Sequence, residues 1–323
     1  MDANTKIYVA GHRGLAGSAI VRGLQRAGYS NIITRTHAEL DLTLPQPTDD
    51  FFSTTKPDVV FLAAAKVGGI VANNTYPADF LRENLAIQNN VIDAAHRHGV
   101  ARLVFLGSSC IYPRDCPQPI KENYLLTGPL EATNSAYALA KISGVEMCRA
   151  YNQQHGTHFL AAMPTNLYGP GDNYDLQHSH VLPALIRKAH EAKQAGAADM
   201  VVWGTGTPKR ELLYSDDLAD ALVMLMQLPP PAFQKILTDE RWPLINVGCG
   251  EDLTIRELAQ LAIEQVGFSG QLRFDTTRPD GTPRKVMDVS RIKALGWSPK
   301  ISLAHGISLA YADYLQRSQK QAA

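Results

Sequence analysis

Tyr137 and Lys141 stand four residues apart in the run Ser135-Ala136-Tyr137-Ala138-Leu139-Ala140-Lys141, a spacing that puts both on one face of a helix. A phenol loses its proton only near a pH of about 10, which makes it a poor acid or base at neutrality. A nearby ammonium favours the phenolate and lowers that value. The pair can therefore trade a proton, or it can be an ordinary surface pair of the kind found by chance in many helices. Upstream, Gly107-Ser108-Ser109-Cys110-Ile111-Tyr112-Pro113 offers a hydroxyl and a thiol. If the chain is extended there, alternation with period two aims Ser108 and Cys110 into one pocket. A small buried filler is an equal use for Cys110.

The elements that must position these groups follow a strand-turn-helix rhythm. Lys6 to Ala10 is a short β-rich run, followed by Gly11-His12-Arg13-Gly14-Leu15-Ala16-Gly17 and then by Ile20, Val21 and Leu24 at helical spacing. Glycines there let the backbone turn tightly and approach a pyrophosphate at the positive end of the helix. A second strand is expected from Asn31 to Arg35. It ends in Thr34-Arg35-Thr36-His37 with no acid to accept ribose hydroxyls, and Arg13 supplies a second cation, which favours NADP over NAD. Pro57 to Leu62 reads as a third strand, buried on both faces. Pro77 to His98 reads as a helix, Ala101 to Gly107 as a fourth strand and Thr157 to Met163 as a fifth. In an open parallel sheet, the carboxyl end of the fourth strand borders the ligand crevice. The tyrosine helix is expected to end near His155-Gly156.

Beyond Pro170 the regular alternation stops. A helix is expected from about Val181 to Gln194 and another from Asp216 to Leu228, which Pro229-Pro230-Pro231 breaks. A late strand lies near Pro243 to Gly248, and Thr254-Ile255-Arg256-Glu257 is a capping box opening a helix to Val266. Pro279 to Lys285 is a charged turn, with helices near Ser290 to Leu295 and Ser302 to Gln316. The fold class is α/β: a Rossmann-type doubly wound parallel sheet with a smaller mixed α/β substrate-binding domain toward the C-terminus. The first domain is expected over residues 1–170, with segments around 212–250 returning to it, and the second mainly over 171–323.

Composition limits the partners. The chain has 323 residues, 45% of them hydrophobic, enough for a large core or a core plus a smaller lobe. Lysine plus arginine matches aspartate plus glutamate at 31 each, so no bulk attraction to nucleic acid or an anionic membrane is expected. The longest apolar run, Val59 to Ala65, falls far short of a span of about 20 residues. The opening residues lack a basic region followed by an apolar one, which makes a cytoplasmic enzyme the default. Cys110, Cys116, Cys148 and Cys249 show no Cys-x-x-Cys pairing, so neither a disulfide framework nor structural zinc is expected, and no metal is assigned.

Taken in order, Gly11-x-x-Gly14-x-x-Gly17, Ser108 and Tyr137-x-x-x-Lys141 resemble the extended short-chain dehydrogenases/reductases that act on nucleotide sugars. Longer strings resemble the GDP-L-fucose synthase family within them. These are Gly11 to Gly14, Ala63 to Pro77, Leu106 to Pro113, Met163 to Pro170 and Pro279 to Lys285. The resemblance covers residues 6 to 316. It implies a substrate, GDP-4-dehydro-6-deoxy-D-mannose, that is inverted at C3 and C5 and then reduced at the C4 ketone with NADPH. It implies Cys110 as base and His180 as acid, with His178 a competitor for the acid role. It also implies that Tyr137 and Ser108 hold the C4 oxygen, while Lys141 lowers the phenol pKa and binds the nicotinamide ribose.

Cofactor contacts are implied at Gly11, His12, Arg13, Gly14, Leu15, Ala16, Gly17 and Arg35, at Leu106, Gly107, Ser108, Ser109 and Lys141, and at Pro164, Thr165, Asn166, Leu167 and His180. Asn166 would also orient substrate, with Lys188, Trp203, Arg210, Asp280 and Lys285 holding nucleotide and sugar. His37 replaces a second arginine that some relatives carry near the 2′-phosphate. The family implies a homodimer pairing Pro77 to His98 and Ser135 to Gln154 in a four-helix bundle. Two rivals share the fold. An NAD-dependent nucleotide-sugar 4-epimerase would keep Ser108, Tyr137 and Lys141 without needing Cys110 and His180. A non-catalytic NADP-sensing module would tend to lose the Tyr-Lys pair.

Overall fold

A computed structural model describes residues 1–176, 179–278 and 280–322. The first part of the chain alternates strand and helix: β1 (Ile7–Ala10), α1 (Leu15–Arg26), β2 (Ile32–Ile33), α2 (Pro45–Thr55), β3 (Val59–Leu62), α3 (Ile70–Thr75), α4 (Pro77–Arg97), β4 (Arg102–Leu106), α5 (Ser135–His155) and β5 (Phe159–Pro164). The rest comprises β6 (Asn166–Tyr168), α6 (Val181–Gln194), β7 (Asp199–Trp203), β8 (Lys209–Arg210), β9 (Leu212–Tyr214), α7 (Ser215–Gln227), α8 (Pro230–Thr238), β10 (Leu244–Val247), β11 (Leu253–Thr254), α9 (Ile255–Val266), β12 (Gln271–Asp275), β13 (Arg284–Lys285), α10 (Ser290–Ala294) and α11 (Leu303–Ala322).

Six strands form one sheet in the order β10-β5-β4-β3-β1-β2, and every neighbouring pair is parallel. The chain goes from β1 outward to β2, then returns to place β3 on the other side of β1. That reversal opens a crevice at the carboxyl ends of β1 and β3. β1, β3, β5 and β10 are buried along their whole length because helices cover both faces. One core spans this sheet and its helices and takes in α7, α8 and α10. A second core gathers Tyr168, α6, β7, α9 and part of α11. Around it lie short sheets, β11-β8-β13, β12-β7 and β6-β9.

Local chemistry explains most boundaries. α5 ends at Gly156, which takes the left-handed conformation with φ 66° and donates its N–H to the Asn152 carbonyl. The capping box of α9 is complete: Thr254 Oγ1 accepts from the Glu257 N–H at 3.1 Å, and the Thr254 N–H reaches Glu257 Oε2 at 2.7 Å. β2 is shorter than expected, leaving Arg35 outside the strand. The three prolines do end α7, but Pro230 then opens α8, since a missing N–H costs nothing at a first helical position. No helix among the described residues is long and apolar enough to cross a membrane.

Candidate active site

The glycine loop joins β1 to α1, and two of its glycines are forced. Gly11 has φ 84°, and a Cβ on it would lie 2.6 Å from the Ala64 nitrogen. A Cβ on Gly17 would overlap the Gly11 carbonyl oxygen. No side chain caps α1 and its first turn has no acid, so its positive end is left for an outside anion. At the edge of this loop, the Glu39 carboxyl is held below its usual range by hydrogen bonds from Thr36. Arg35 and Arg13 add to the effect, which brings both guanidiniums near one point. Arg35 also lies over the Phe51 ring, 5.5 Å from its centroid. His37 is exposed and stands 3.8 Å from Asp41. The loop and the uncapped helix fit a dinucleotide.

At the carboxyl end of β4, the expected extended run is instead a 3-10 turn over Ser109–Ile111. Ser108 caps it, its Oγ accepting from the Cys110 N–H at 3.5 Å. The turn still brings the chemistry together. The Ser108 hydroxyl and the Cys110 thiol both lie close enough to the Tyr137 phenol to shift its proton affinity, Ser108 lowering it and Cys110 raising it. Beneath it, Tyr112 donates to Asn246 Oδ1 at 2.6 Å, pinning the far end of the turn. Cys110 is 7% exposed. Burial pushes its thiol pKa up, while Lys285, Ser108 and Lys141 favour the thiolate.

Lys141 is 3% exposed, and its Nζ donates to the Leu106 carbonyl at 2.8 Å. Burial pulls its pKa down to about 8, against the opposing influence of Cys110. Tyr137 rests edge-on against Phe80, with ring centroids 6.1 Å apart. Its pKa is pushed up, first by burial and then by Cys110. In this geometry burial outweighs any lowering of the phenol by Lys141. Desolvation dominates, and the ammonium is directed at a main-chain carbonyl, 5.8 Å from the phenol ring centroid.

The other expected residues make contacts of their own. Gly107 donates to the Ala162 carbonyl at 2.9 Å, and Thr165 donates to the Val247 carbonyl at 3.1 Å. The Asn166 amide donates to the Glu211 carbonyl at 2.9 Å. Lys285 pairs in register with Arg210 across β13 and β8. Arg210 donates to the Thr282 carbonyl at 2.6 Å, and burial lowers its pKa against the pull of Asp280. Asp280 accepts from the Thr205 N–H at 2.9 Å. Lys188 lies 4.7 Å from the centroid of Trp203, and Arg278 lies 5.1 Å from it.

His180 is the residue that precedes α6, at its N-terminal cap, and is exposed. The surrounding protein lowers its pKa, and among the described residues no side-chain hydrogen bond ties it to the Tyr137 group. His178 lies outside the described residues, as do Gln177 and Pro279. Phe80, Arg278 and Glu211 escaped sequence reasoning because nothing in their local pattern announces a long-range contact.

Residues 7–235 match the NAD dependent epimerase/dehydratase family. The chain belongs to that family. It is 57% identical to GDP-L-fucose synthase 1 of Arabidopsis thaliana, over 98% of this chain and 94% of that protein. It is 49% identical to GDP-L-fucose synthase of Escherichia coli K12, over 98% of both chains. Among solved structures, the GDP-mannoheptose C4 reductase MlghC from Campylobacter jejuni, with NADP bound, superposes with a TM-score of 0.88. It is 42% identical over 98% of this chain and 99% of that one. The Rossmann-type α/β expectation agrees with the sheet and with this family.

Proposed function

We propose that this chain converts GDP-4-dehydro-6-deoxy-D-mannose to GDP-L-fucose, inverting C3 and C5 and then reducing the C4 ketone. The observation that carries this reading is the thiol of Cys110 set beside the Ser108–Tyr137 pair and two lysines. The C4 carbonyl acidifies the protons on both of its neighbours, so one base and one acid beside a held oxygen suffice for inversion. Cys110 takes the proton from carbon, and His180, approaching from the other lobe, returns one to the opposite face. Ser108 and Tyr137 hydrogen-bond the oxygen as negative charge builds on it. When bound, NADPH supplies the hydride for C4. Tyr137 gives its proton to the new alkoxide, and its raised proton affinity keeps the phenol protonated until then. Lys141 binds the nicotinamide ribose.

Arg13 and Arg35 favour NADP(H) over NAD, and the absence of a carboxylate at the end of β2 supports the same choice. Lys188, Trp203, Arg210, Asp280 and Lys285 hold the nucleotide and sugar. Residues 1–170, joined by the 212–250 region, form the cofactor domain and most of the remainder forms the substrate domain, a division that the two cores support. α4 and α5 pack along each other, and Leu139 on α5 is 48% exposed, which favours a homodimer through these helices.

The test is one incubation in D₂O with the GDP-4-keto-sugar and NADPH. The expected outcome is NADPH oxidation with deuterium at C3 and C5 of the product, read by NMR. Oxidation without deuterium would leave a plain C4 reductase. Neither event would remove this substrate, and UDP-sugars with NAD would then test the 4-epimerase alternative.

A further inference from the structure

Glu211 is the one residue between β8 and β9, and it is fully buried. A buried carboxylate costs several kcal/mol unless hydrogen bonds answer it. Here two main-chain donors do so: the Gly250 N–H reaches Oε1 at 2.7 Å and the Met287 N–H reaches Oε2 at 2.8 Å. The turn after β10 is shaped to this carboxylate, since a Cβ on Gly248 would overlap Oε1. The main chain of the same residue is equally engaged. Its N–H donates to the Lys285 carbonyl at 3.3 Å, and its carbonyl accepts from Thr165 Oγ1 at 3.3 Å and Asn166 Nδ2 at 2.9 Å.

One residue thus joins segments that are far apart in sequence, and two of them carry residues proposed to hold the substrate. Arg210 precedes Glu211 and pairs in register with Lys285, while Leu212 follows it and pairs with Asn166. An apolar side chain of similar size would fill the space without the desolvation cost, but it would leave the Gly250 and Met287 N–H groups without acceptors. The carboxylate ties the β8–β9 junction to the turn after β10 and to the chain leaving β13, while the main chain of the same residue meets Thr165 and Asn166 after β5.

We propose that Glu211 is a positioning residue for the substrate, holding Arg210 and Lys285 at a set distance from Asn166 and the Cys110 turn without touching the ligand itself. This rests on the reading that the cleft takes a GDP-sugar. Misplacement of binding groups by about 1 Å can cost about a hundredfold in rate, so the effect belongs to sugar-nucleotide binding and turnover and leaves the glycine loop alone.

The experiment compares wild type, Glu211→Gln and Gly248→Ala by calorimetric titration with GDP and with NADPH, followed by steady-state kinetics on the GDP-4-keto-sugar. Gly248→Ala keeps the carboxylate but displaces it. Both variants are expected to bind NADPH within about twofold of wild type, to bind GDP at least tenfold more weakly, and to show a raised KM for the sugar nucleotide with an unchanged KM for NADPH. Should Glu211→Gln fail to fold, the same pattern in Gly248→Ala supports the role. GDP binding at the wild-type level in a folded variant overturns the role alone. Parallel loss of GDP and NADPH binding in both variants overturns it as well, because the carboxylate would then be a general prop. Wild type that ignores GDP overturns the substrate reading and the positioning role with it.

Discussion

Lys141 and Lys188 each sit 4.7 Å from the centroid of an aromatic ring, Phe105 and Trp203 respectively. Each also donates to a main-chain carbonyl, Leu106 at 2.8 Å and Val201 at 3.2 Å. Their walls differ. Lys141 is 3% exposed and backed by a sheet buried on both faces, whereas the ring beside Lys188 is 56% exposed on a two-stranded ribbon. Behind Lys141 there is nothing for water to reach, so its ammonium is expensive and its proton affinity can be moved. Burial lowers the Lys188 pKa as well, but this lysine is only half-buried and its Trp203 neighbour opens to solvent, where charge is screened. The sheet side therefore suits proton chemistry and the ribbon side suits holding anions and rings.

The sharpest way to break this division is Tyr137→Phe. It is expected to lower kcat by roughly 10²–10⁴-fold, the usual contribution of a positioned acid or base, while GDP titration stays at the wild-type value. Near-normal turnover would take the phenol out of the mechanism. Cys110→Ala should leave NADPH binding intact and abolish deuterium exchange at C3 and C5. If exchange continues at full rate, the thiol is only a filler.

Lys141 allows a test through stability. Its ammonium is held at about 8 in the folded chain, against an ordinary value of 10.5. Between these values the unfolded chain binds more protons, so stability should rise with pH across that window, by roughly 3 kcal/mol. Lys141→Met should remove that rise, as urea unfolding at pH 7 and pH 10 would show. The same slope in both proteins would mean that burial does not govern this lysine. The smallest effect is expected on the ribbon side. Trp203→Ala should raise KM for the sugar nucleotide by about 2- to 30-fold, for an aromatic contact of about 0.5–2 kcal/mol, with kcat nearly unchanged. An equal fall in kcat would erase the distinction between the two sides.

Much of the cofactor side was legible because its signals are local. The glycine loop follows its strand directly, Tyr137 and Lys141 share a helix face, and α6 runs over the expected Val181–Gln194. Ser108 as a cap was not legible, since a 3-10 turn and an extended run accept the same residues. The short β2 has a similar cause: Thr34 and Arg35 suit a strand, but pairing with β1 ends at Ile33. The burial that raises the Tyr137 pKa was not legible, because it depends on how much protein surrounds the phenol. Glu211 lay in plain view beside Arg210, yet its partners at Gly250 and Met287 are far along the chain.

The glycine loop has a consequence for redesign. Gly11 and Gly17 are each blocked by backbone on one side, but Arg13 between them is exposed, and Arg35 stands outside the short β2. The scaffold of the loop is therefore frozen while its charge is free to vary. If Arg13 and Arg35 receive the extra phosphate as proposed, cofactor preference can be rewritten at two surface positions without asking the backbone to move.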